Sequence, residues 1–473
     1  MRSFIFFVCG VLILGFISTV FRVSMAESSN VIFVPKNYDT IQEAINNAVD
    51  GQIIHVGSGI YHEYIIVNKS VSVQGEDPEN TIIEGNGTCV LIRITSSNVT
   101  LSGFWMKNAE TAISLENVGN CKVSGNKITD IKFDVYAGKS SGSAIYFDKC
   151  KNSMVEENFF SDIHYTHVFL EESNHNILRN NFFLANSRWS QPILLRYSCW
   201  NIIEWNKVYG TEETNEGGIG ITYSTGNIIQ FNDIKQNDWC GISLHSSNET
   251  IVRGNNITYH EILFGLYLKR TINTTVYWNN FVGNTGDVGF DDAKNTTWTF
   301  LGMGNYWDKY EGIDEDQDGI GDSPYKFSTQ NDTCPLMGKY HPFKVLWDGQ
   351  PKVLAIISNS TVWLNSTTYH GKEVVIKSRG QQGDYAFCLL QIPEKLCNIK
   401  VYVNEGEPIS SKYWHNQDFT LVYVLYVHET ANDIIIVIPE LGLPAFLVTL
   451  LIITALVILR KTSVSRRDLS KTL

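Results

Sequence analysis

The most regular feature of the chain is a pair of apolar positions bracketing an asparagine, apolar-x-x-Asn-x-apolar, which returns through the middle of the sequence. It starts as Val123-Ser-Gly-Asn126-Lys-Ile128 and Val155-Glu-Glu-Asn158-Phe-Phe160. It continues as Ile177…Asn180…Phe182, Ile203…Asn206…Val208, Ile229…Asn232…Ile234, Val252…Asn255…Ile257 and Val276…Asn279…Phe281. The asparagines are 32, 22, 26, 26, 23 and 24 residues apart, and Leu101-Ser-Gly-Phe104-Trp-Met106 carries the same frame with Phe104 in the asparagine slot. A second short apolar run lies between successive copies: Ala112–Leu115, Ala144–Phe147, Val168–Leu170, Ile193–Leu195, Ile219–Ile221, Gly241–Leu244 and Gly265–Leu268. Each unit therefore reads as two or three strands of three to five residues joined by Asn/Ser/Gly turns, with no window of helical period. Short strands at one spacing, with no room for crossover helices, predict a parallel β-helix. Stacked coils lie ~4.8 Å apart. An asparagine at one corner tolerates left-handed backbone and can hydrogen-bond to the same corner of the next coil, so these asparagines read as architecture.

The flanks complete the picture. Thr40–Ala48 places Ile41, Ala44, Ile45 and Ala48 on one helical face, with Thr40 and Glu43 at capping-box spacing, and predicts a helix over the first coil. Strands are expected at Gln52–Val56, Tyr64–Val67 and Ser70–Gln74. Between 350 and 438 the repeats stop and six alternating strands predict a small β-sandwich, immunoglobulin-like in general class, as a stalk or spacer. Within it Cys388 and Cys397 are spaced to bridge. Residues 1–26 read as a secretory signal peptide, with an uncharged run from Phe4 to Val20 before Ser24-Met25-Ala26. Leu441–Leu459 is 19 residues without a charge, ~28 Å as a helix and close to a bilayer core. The basic tail 460–473 follows, so the positive-inside rule predicts a single-pass anchor with a cytoplasmic C-terminus and an exterior bulk.

The opening Thr40-Ile-Gln-Glu-Ala-Ile45, Gly51…Ile54…Val56…Gly59-Ile-Tyr61…Glu63 and Val71…Gly75 resembles right-handed β-helix proteins of the NosD type. These are periplasmic copper-binding accessory proteins, close to the wider carbohydrate-binding and sugar-hydrolase repeat group. Asn305-Tyr-Trp307…Tyr310…Gly312…Asp318-Gly-Ile-Gly-Asp322-Ser-Pro-Tyr325 resembles the segment that closes such helices in archaeal surface proteins. The resemblance implies a right-handed parallel β-helix over 31–343 and fits an all-β chain; one such fold hosts many functions.

Charge narrows the partners. The chain has 37 Lys+Arg against 49 Asp+Glu, a formal net charge of −12. This argues against a nucleic-acid binder and suits cations or neutral glycans. At 43% hydrophobic and 18% charged residues it can bury a sizeable core. The sharpest local motif is Asp314-Glu-Asp316-Gln-Asp318-Gly-Ile320-Gly-Asp322. Carboxylates at positions 1, 3, 5 and 9, with glycine at 6 and the Ile320 carbonyl at 7, are how a loop wraps Ca²⁺, here as a structural ion stiffening the C-terminal cap. Tyr325 stands where an EF-hand needs glutamate. Copper would need a His, Met or thiolate cluster, and the nearest pair is His164-x-x-His167, with His175, His245 and His260 scattered over the coils and His55 and His62 near the cap. For glycan cleavage, Asp291-Asp292 and Glu171-Glu172 are the acidic pairs, but neighbours on a strand point apart.

Aromatic residues recur along the coils: Trp189, Trp200, Trp205, Trp239 and Trp278, with Tyr197, Tyr209, Tyr223 and Tyr267. Trp205, Phe231 and Trp278 each precede a ladder asparagine, one step out of register with the inward stack, where a row of rings could dock sugars or pack turns. The expected function is binding or scaffolding at a membrane-anchored surface, with a glycan or surface polymer as ligand. Two rival classes are a polysaccharide-cleaving hydrolase or lyase, and a NosD-like accessory factor in copper-enzyme maturation with a membrane transporter as partner.

Overall fold

Three parallel sheets form the body of the protein. The computed structural model describes residues 30–132, 142–187, 190–211, 217–369, 373–416, 419–429 and 433–439. Each coil contributes one short strand to each sheet. The first sheet has 11 strands, from Val31–Val34 to Thr275–Tyr277; the second has 11, from Gly59–Tyr61 to Tyr306–Trp307; the third has 10, from Ile65–Val67 to Gly286–Asp291. Like residues stack on like between coils: Val155 pairs with Leu178, Leu178 with Ile203, Ile203 with Ile229, Ile229 with Val252 and Val252 with Val276. All six are fully buried, so one continuous apolar column runs up the inside. Burying each such side chain contributes ~1.5–3 kcal/mol.

The asparagine ladder forms at the corner between the first and second sheets. Asn126, Asn158, Asn181, Asn206, Asn232, Asn255, Asn279 and Asn305 follow one another. Each side-chain oxygen accepts the backbone N–H of the preceding member at 2.9–3.1 Å. The ladder residue that follows Asn158 is Asn181, not Asn180 as the spacing suggested. The pairing of Leu178, rather than Ile177, with Val155 sets that frame. Asn180 takes the position before it, with φ of 56°. The same left-handed position is held by Gly125, Glu157, Trp205, Phe231, Gly254 and Trp278. The two properties expected of a single asparagine are thus divided between neighbours: one residue turns the backbone and the next bonds along the stack. The last ladder member needs an acceptor, and the buried Asp332 supplies it. Its carboxylate takes the Asn305 backbone N–H at 2.7 Å, the Asn305 amide at 3.2 Å and the Trp307 indole N–H at 3.0 Å. Burial raises the Asp332 carboxyl above its ordinary range, and these donors partly offset the rise.

At the opposite end, the helix Ile41–Asn47 covers the first coil with Ile41, Ala44 and Ile45. Thr40 accepts from the Glu43 N–H at 3.1 Å as expected, while Glu63 takes the N–H groups of Ile41 and Gln42, both at 3.0 Å.

The second unit starts at Lys339, ahead of the expected start at 350, because Lys339–Trp347 pairs antiparallel with Gln350–Ser358 through a tight turn at Asp348-Gly349. Both turn residues have positive φ, as a two-residue hairpin requires. A six-stranded and a four-stranded sheet enclose a core that includes Leu354, Ile376, Leu390 and Val424. The expected bridge is absent: Cys388 is buried against Ser358 and Tyr426, Cys397 is exposed, and both are free thiols. The larger sheet is applied to the coils through a shared cluster of Tyr277, Trp278, Met303 and Leu336 with Tyr340, Ile357, Leu389 and Tyr423. The expected signal peptide, membrane span and basic tail lie outside the described residues. No described helix is long and apolar enough to cross a membrane.

The ladder frame is tested by neighbouring substitutions. Asn181→Ala removes an acceptor for Asn158 and donors to Asn206 and Val155. It should cost about 1–3 kcal/mol in urea unfolding, whereas Asn180→Gly, which keeps the left-handed turn, should change stability by less than ~0.5 kcal/mol.

Candidate functional site

Two rows of aromatic rings stand at corners beside the first sheet, and the second unit decides which of these rows meets solvent. Trp205, Phe231 and Trp278 occupy the left-handed position before the ladder, facing that unit. Trp278 is buried beneath Tyr340, with ring centroids 5.4 Å apart, and Trp205 lies between Phe231 and the Lys344 ammonium. The row singled out in the sequence is therefore largely packing.

The exposed row is at the corner between the third and first sheets. Strand Gln191–Arg196 ends there and Ile202–Glu204 begins, with Ser198 and Asn201 pointing inward and bonded to Ser224 and Asn227 of the next coil. Tyr197 and Trp200 are the two left-handed residues of this turn, and Tyr223 and Gly226 hold the same places one coil on. Their N–H groups bond to the following coil, so the turn backbone is satisfied and its side chains project outward. Tyr197, Trp200 and Tyr223 are each about half exposed, at 51%, 51% and 50%. The Tyr197 and Tyr223 rings stack at 5.2 Å and 14°, and Tyr223 meets His245 at 5.7 Å. Trp200 lies over Gly226, where a Cβ would stand 2.3 Å from its ring. Exposed Glu172 and His175 flank the rings one coil before, and Glu249 one coil after. The result is a rigid strip of apolar faces edged by hydrogen-bonding groups, suited to stacking on sugar rings.

The acidic loop closes the C-terminal end of the coils. Carboxylate oxygens of Asp314, Asp316 and Asp318 lie within 4.8 Å of one another, the only such metal-capable group among the described residues. Asp314 accepts the N–H groups of Asp318 and Gly319, both at 2.9 Å, and Asp318 accepts that of Ile320 at 2.8 Å. Asp322 does not converge with the three; it accepts the Glu315 N–H at 2.6 Å and so closes the loop from behind. Ile320 pairs with Leu336, but the ladder bonds run through Gly319 and Gly321, leaving the Ile320 carbonyl out of them. Burial raises the carboxyls of Asp314 and Asp318, and the neighbouring carboxylates add to the rise.

The other candidates disperse. His167 is buried between Phe160 and Phe183, bonded to Ser190 at 2.9 Å, and burial pushes it down to about 3, so it is neutral. His164 is exposed, on the other side of the coil wall. His260 is buried, bonded to Asn237 at 3.0 Å and pushed down to about 4. Asp291 pairs with Lys269 and Asp292 with Lys294. Glu171 is buried in a two-point contact with Arg196 while Glu172 faces outward. Trp189 lies outside the described residues.

One arrangement is invisible in the sequence. Ser360 Oγ lies 3.0 Å from His428 Nε2, and His428 Nδ1 contacts the buried Asp433 carboxylate. Ser360 is 68 residues from His428, and the three form no motif. The Gly380 backbone sits so close that a Cβ would fall 2.1 Å from Nε2. The chain fastens the turn after Gln350–Ser358 to the final strands of the sandwich.

A family model described as "Periplasmic copper-binding protein (NosD)" matches residues 137–312. The chain is 37% identical over 97 residues to a cell surface glycoprotein of Methanothermus fervidus, covering 20% of this chain and 16% of that protein. It is 27% identical over 210 residues to a probable ABC transporter binding protein NosD of Stutzerimonas stutzeri, covering 40% and 42%. The chain thus spans less than half the length of these relatives. Among solved structures it is similar to the Dettilon tailspike protein (gp208), at 12% identity and a TM-score of 0.39, over 86% of this chain and 94% of that one.

The ring-over-glycine step of the exposed corner has its own test. Gly226→Ala sets a Cβ into the Trp200 ring at a φ of 70° and should cost about 1–3 kcal/mol in thermal unfolding. Trp200→Ala with Gly226→Ala should recover the steric share, seen as coupling in a double-mutant cycle. The stacked parallel coils, the family-model match through their middle and the two relatives fit a NosD-like β-helix protein.

Proposed function

We propose that this is a surface or periplasm-facing binding protein that holds a glycan along the exposed corner of its β-helix. The observation that carries the reading is the strip of Tyr197, Trp200 and Tyr223, half exposed and repeated at the coil spacing. Rings fixed on a rigid backbone lose little entropy on stacking against sugars, and Glu172, His175 and Glu249 stand beside them to meet hydroxyls. The names of the relatives support a location outside the cytoplasm. Glycan-array binding should fall about tenfold or more in Tyr197→Ala and Trp200→Ala variants that melt normally. Array binding unchanged by both would remove the reading. Release of reducing or unsaturated sugar from a bound polymer would instead favour the polysaccharide-cleaving class. Copper uptake together with a transporter partner would favour the accessory role that the NosD name of a relative suggests.

The acidic loop is read as a structural Ca²⁺ site, supported by the convergence of Asp314, Asp316 and Asp318, with the Ile320 carbonyl as a further ligand and Asp322 behind them. The sign of its pH dependence follows from the raised carboxyls of Asp314 and Asp318. Without a cation, their stabilising contribution is present below the ordinary carboxylate range and is lost as pH rises through the folded values. A cation binds the ionised form and releases those protons. Calcium should therefore raise the melting temperature at pH 7, by an increment that shrinks as pH falls toward ~4. Asp316→Ala should abolish the increment and the calcium measured by mass spectrometry after desalting.

A further inference from the structure

The seam between the ladder corner and the hairpin 339–358 is not closed. Three adjoining cavities of about 380, 450 and 380 Å³ run along it, and Trp205 lines all of them. Their walls carry Arg179, Lys207, Arg253, Lys339, Lys344 and Lys352 against two carboxylates, Glu204 and Asp233, in a chain whose net charge is −12. Several of these cations have only neutral acceptors. Arg253 donates to Gln230 at 2.8 Å and to the Tyr277 hydroxyl at 3.1 Å; Lys352 donates to the Pro393 carbonyl at 3.1 Å. Lys344 donates to the Asn180 side chain and sits 4.5 Å from the Trp205 ring centroid. Burial lowers the Lys344 ammonium from its ordinary range, with Arg179 adding to the fall and Glu204 and Glu157 offsetting only part of it. Glu204 is held by the Gln230 amide at 2.6 Å.

A second observation points to a ligand. Gln391 and Trp278, only 3% and 5% exposed, line the cavity nearest the shared core. The Gln391 Nε2 and Trp278 Nε1 donors are buried and have no acceptor in the protein. Two orphaned donors beside unneutralised cations cost free energy unless something brings acceptor oxygens to them. Phe231 and Trp205 supply apolar ring surface alongside.

We infer that this seam is a second binding site, for a carboxylate-bearing sugar such as a hexuronate unit of an acidic glycan. The carboxylate lies among Arg253, Lys344 and Lys352, and hydroxyl or ring oxygens accept from Gln391 and Trp278. That the anion is borne by a sugar rests on the glycan reading of the exposed corner; the demand for an anion with several acceptor oxygens does not.

Isothermal titration of the full-length protein with an oligogalacturonate and with a neutral oligosaccharide of equal length tests the site. The acidic chain should bind in preference, and more weakly at high salt. Lys352→Gln and Gln391→Leu should each lower its affinity about tenfold. Gln391→Leu combined with Tyr340→Phe, which removes the hydroxyl that donates to Gln391 Oε1 at 3.3 Å, should leave the melting temperature unchanged or raised relative to Tyr340→Phe alone, because the remaining loss is an unpaired buried donor; a merely structural glutamine would give the opposite sign. Trp200→Ala should leave this binding intact. Equal binding of acidic and neutral chains, absence of acidic binding, or acidic binding lost in Trp200→Ala but kept in Lys352→Gln would overturn the inference. The last outcome would leave the exposed-corner reading standing.

Discussion

The structure depends on one repeated bond, the side-chain oxygen of a ladder residue accepting the backbone N–H of the coil before. Parallel strands of three to six residues have little pairing of their own, and a corner that breaks the ladder leaves buried N–H groups without water. An asparagine satisfies both sides, since its amide also donates to carbonyls of neighbouring turns, as Asn232 does to Ile203 and Gln230. Such a column must end on something that only accepts. Asp332 is that terminus, and Gly304 has no side chain because a Cβ there would stand 2.0 Å from the Asp332 carboxylate.

The ladder also decides where function can reside. To aim its amide up the stack, each ladder residue from Asn126 to Asn279 follows a residue in left-handed backbone, and that preceding side chain is thrown outward. Left-handed geometry costs a non-glycine residue ~1–2 kcal/mol, yet Trp, Phe and Tyr occupy it repeatedly. Ring packing offsets the cost. Trp200, Phe231 and Tyr259 each lie over a left-handed glycine of the next coil, at Gly226, Gly254 and Gly283. A large ring thus covers a glycine at one step of each corner. The two corners then part: Trp278 and Phe231 receive the sandwich, whereas Tyr197, Trp200 and Tyr223 stay in solvent.

The period of the apolar positions was enough to read the coils, the inward columns and the covering helix, because those depend on residues close in sequence. The frame slipped by one in the coil after Asn158, where Asn180 and Asn181 are adjacent and Ile177 and Leu178 both suit the apolar slot; only pairing with the coils on either side separates them. The convergence of Asp314, Asp316 and Asp318 was legible for the same local reason. The packing of the sandwich was not, since Tyr340 and Leu389 reach Trp278 and Leu336 by tertiary contact without a periodic signal. Ser360, His428 and Asp433 were hidden likewise. The aromatic pattern was visible, but which row is covered depends on that same packing.

Net charge is silent on the seam for a related reason. Summed over the chain it is −12, which argues against anionic ligands. Potential in a cleft is set by the few charges that line it and by low-dielectric walls, not by the sum. Acids elsewhere are spent in pairs, as Glu156 is on Lys122 and Arg179 and Glu171 on Arg196. Stacking alternates these charges up the outer face of the first sheet, from Glu156 through Arg179 and Glu204 to Gln230 and Arg253. Where the neutral Gln230 interrupts the alternation, Arg253 has an amide and not a carboxylate beside it, and the hairpin of the sandwich sets Lys344 and Lys352 opposite. A basic seam in an acidic protein therefore arises from one break in an alternating ladder and the docking of a second unit across it.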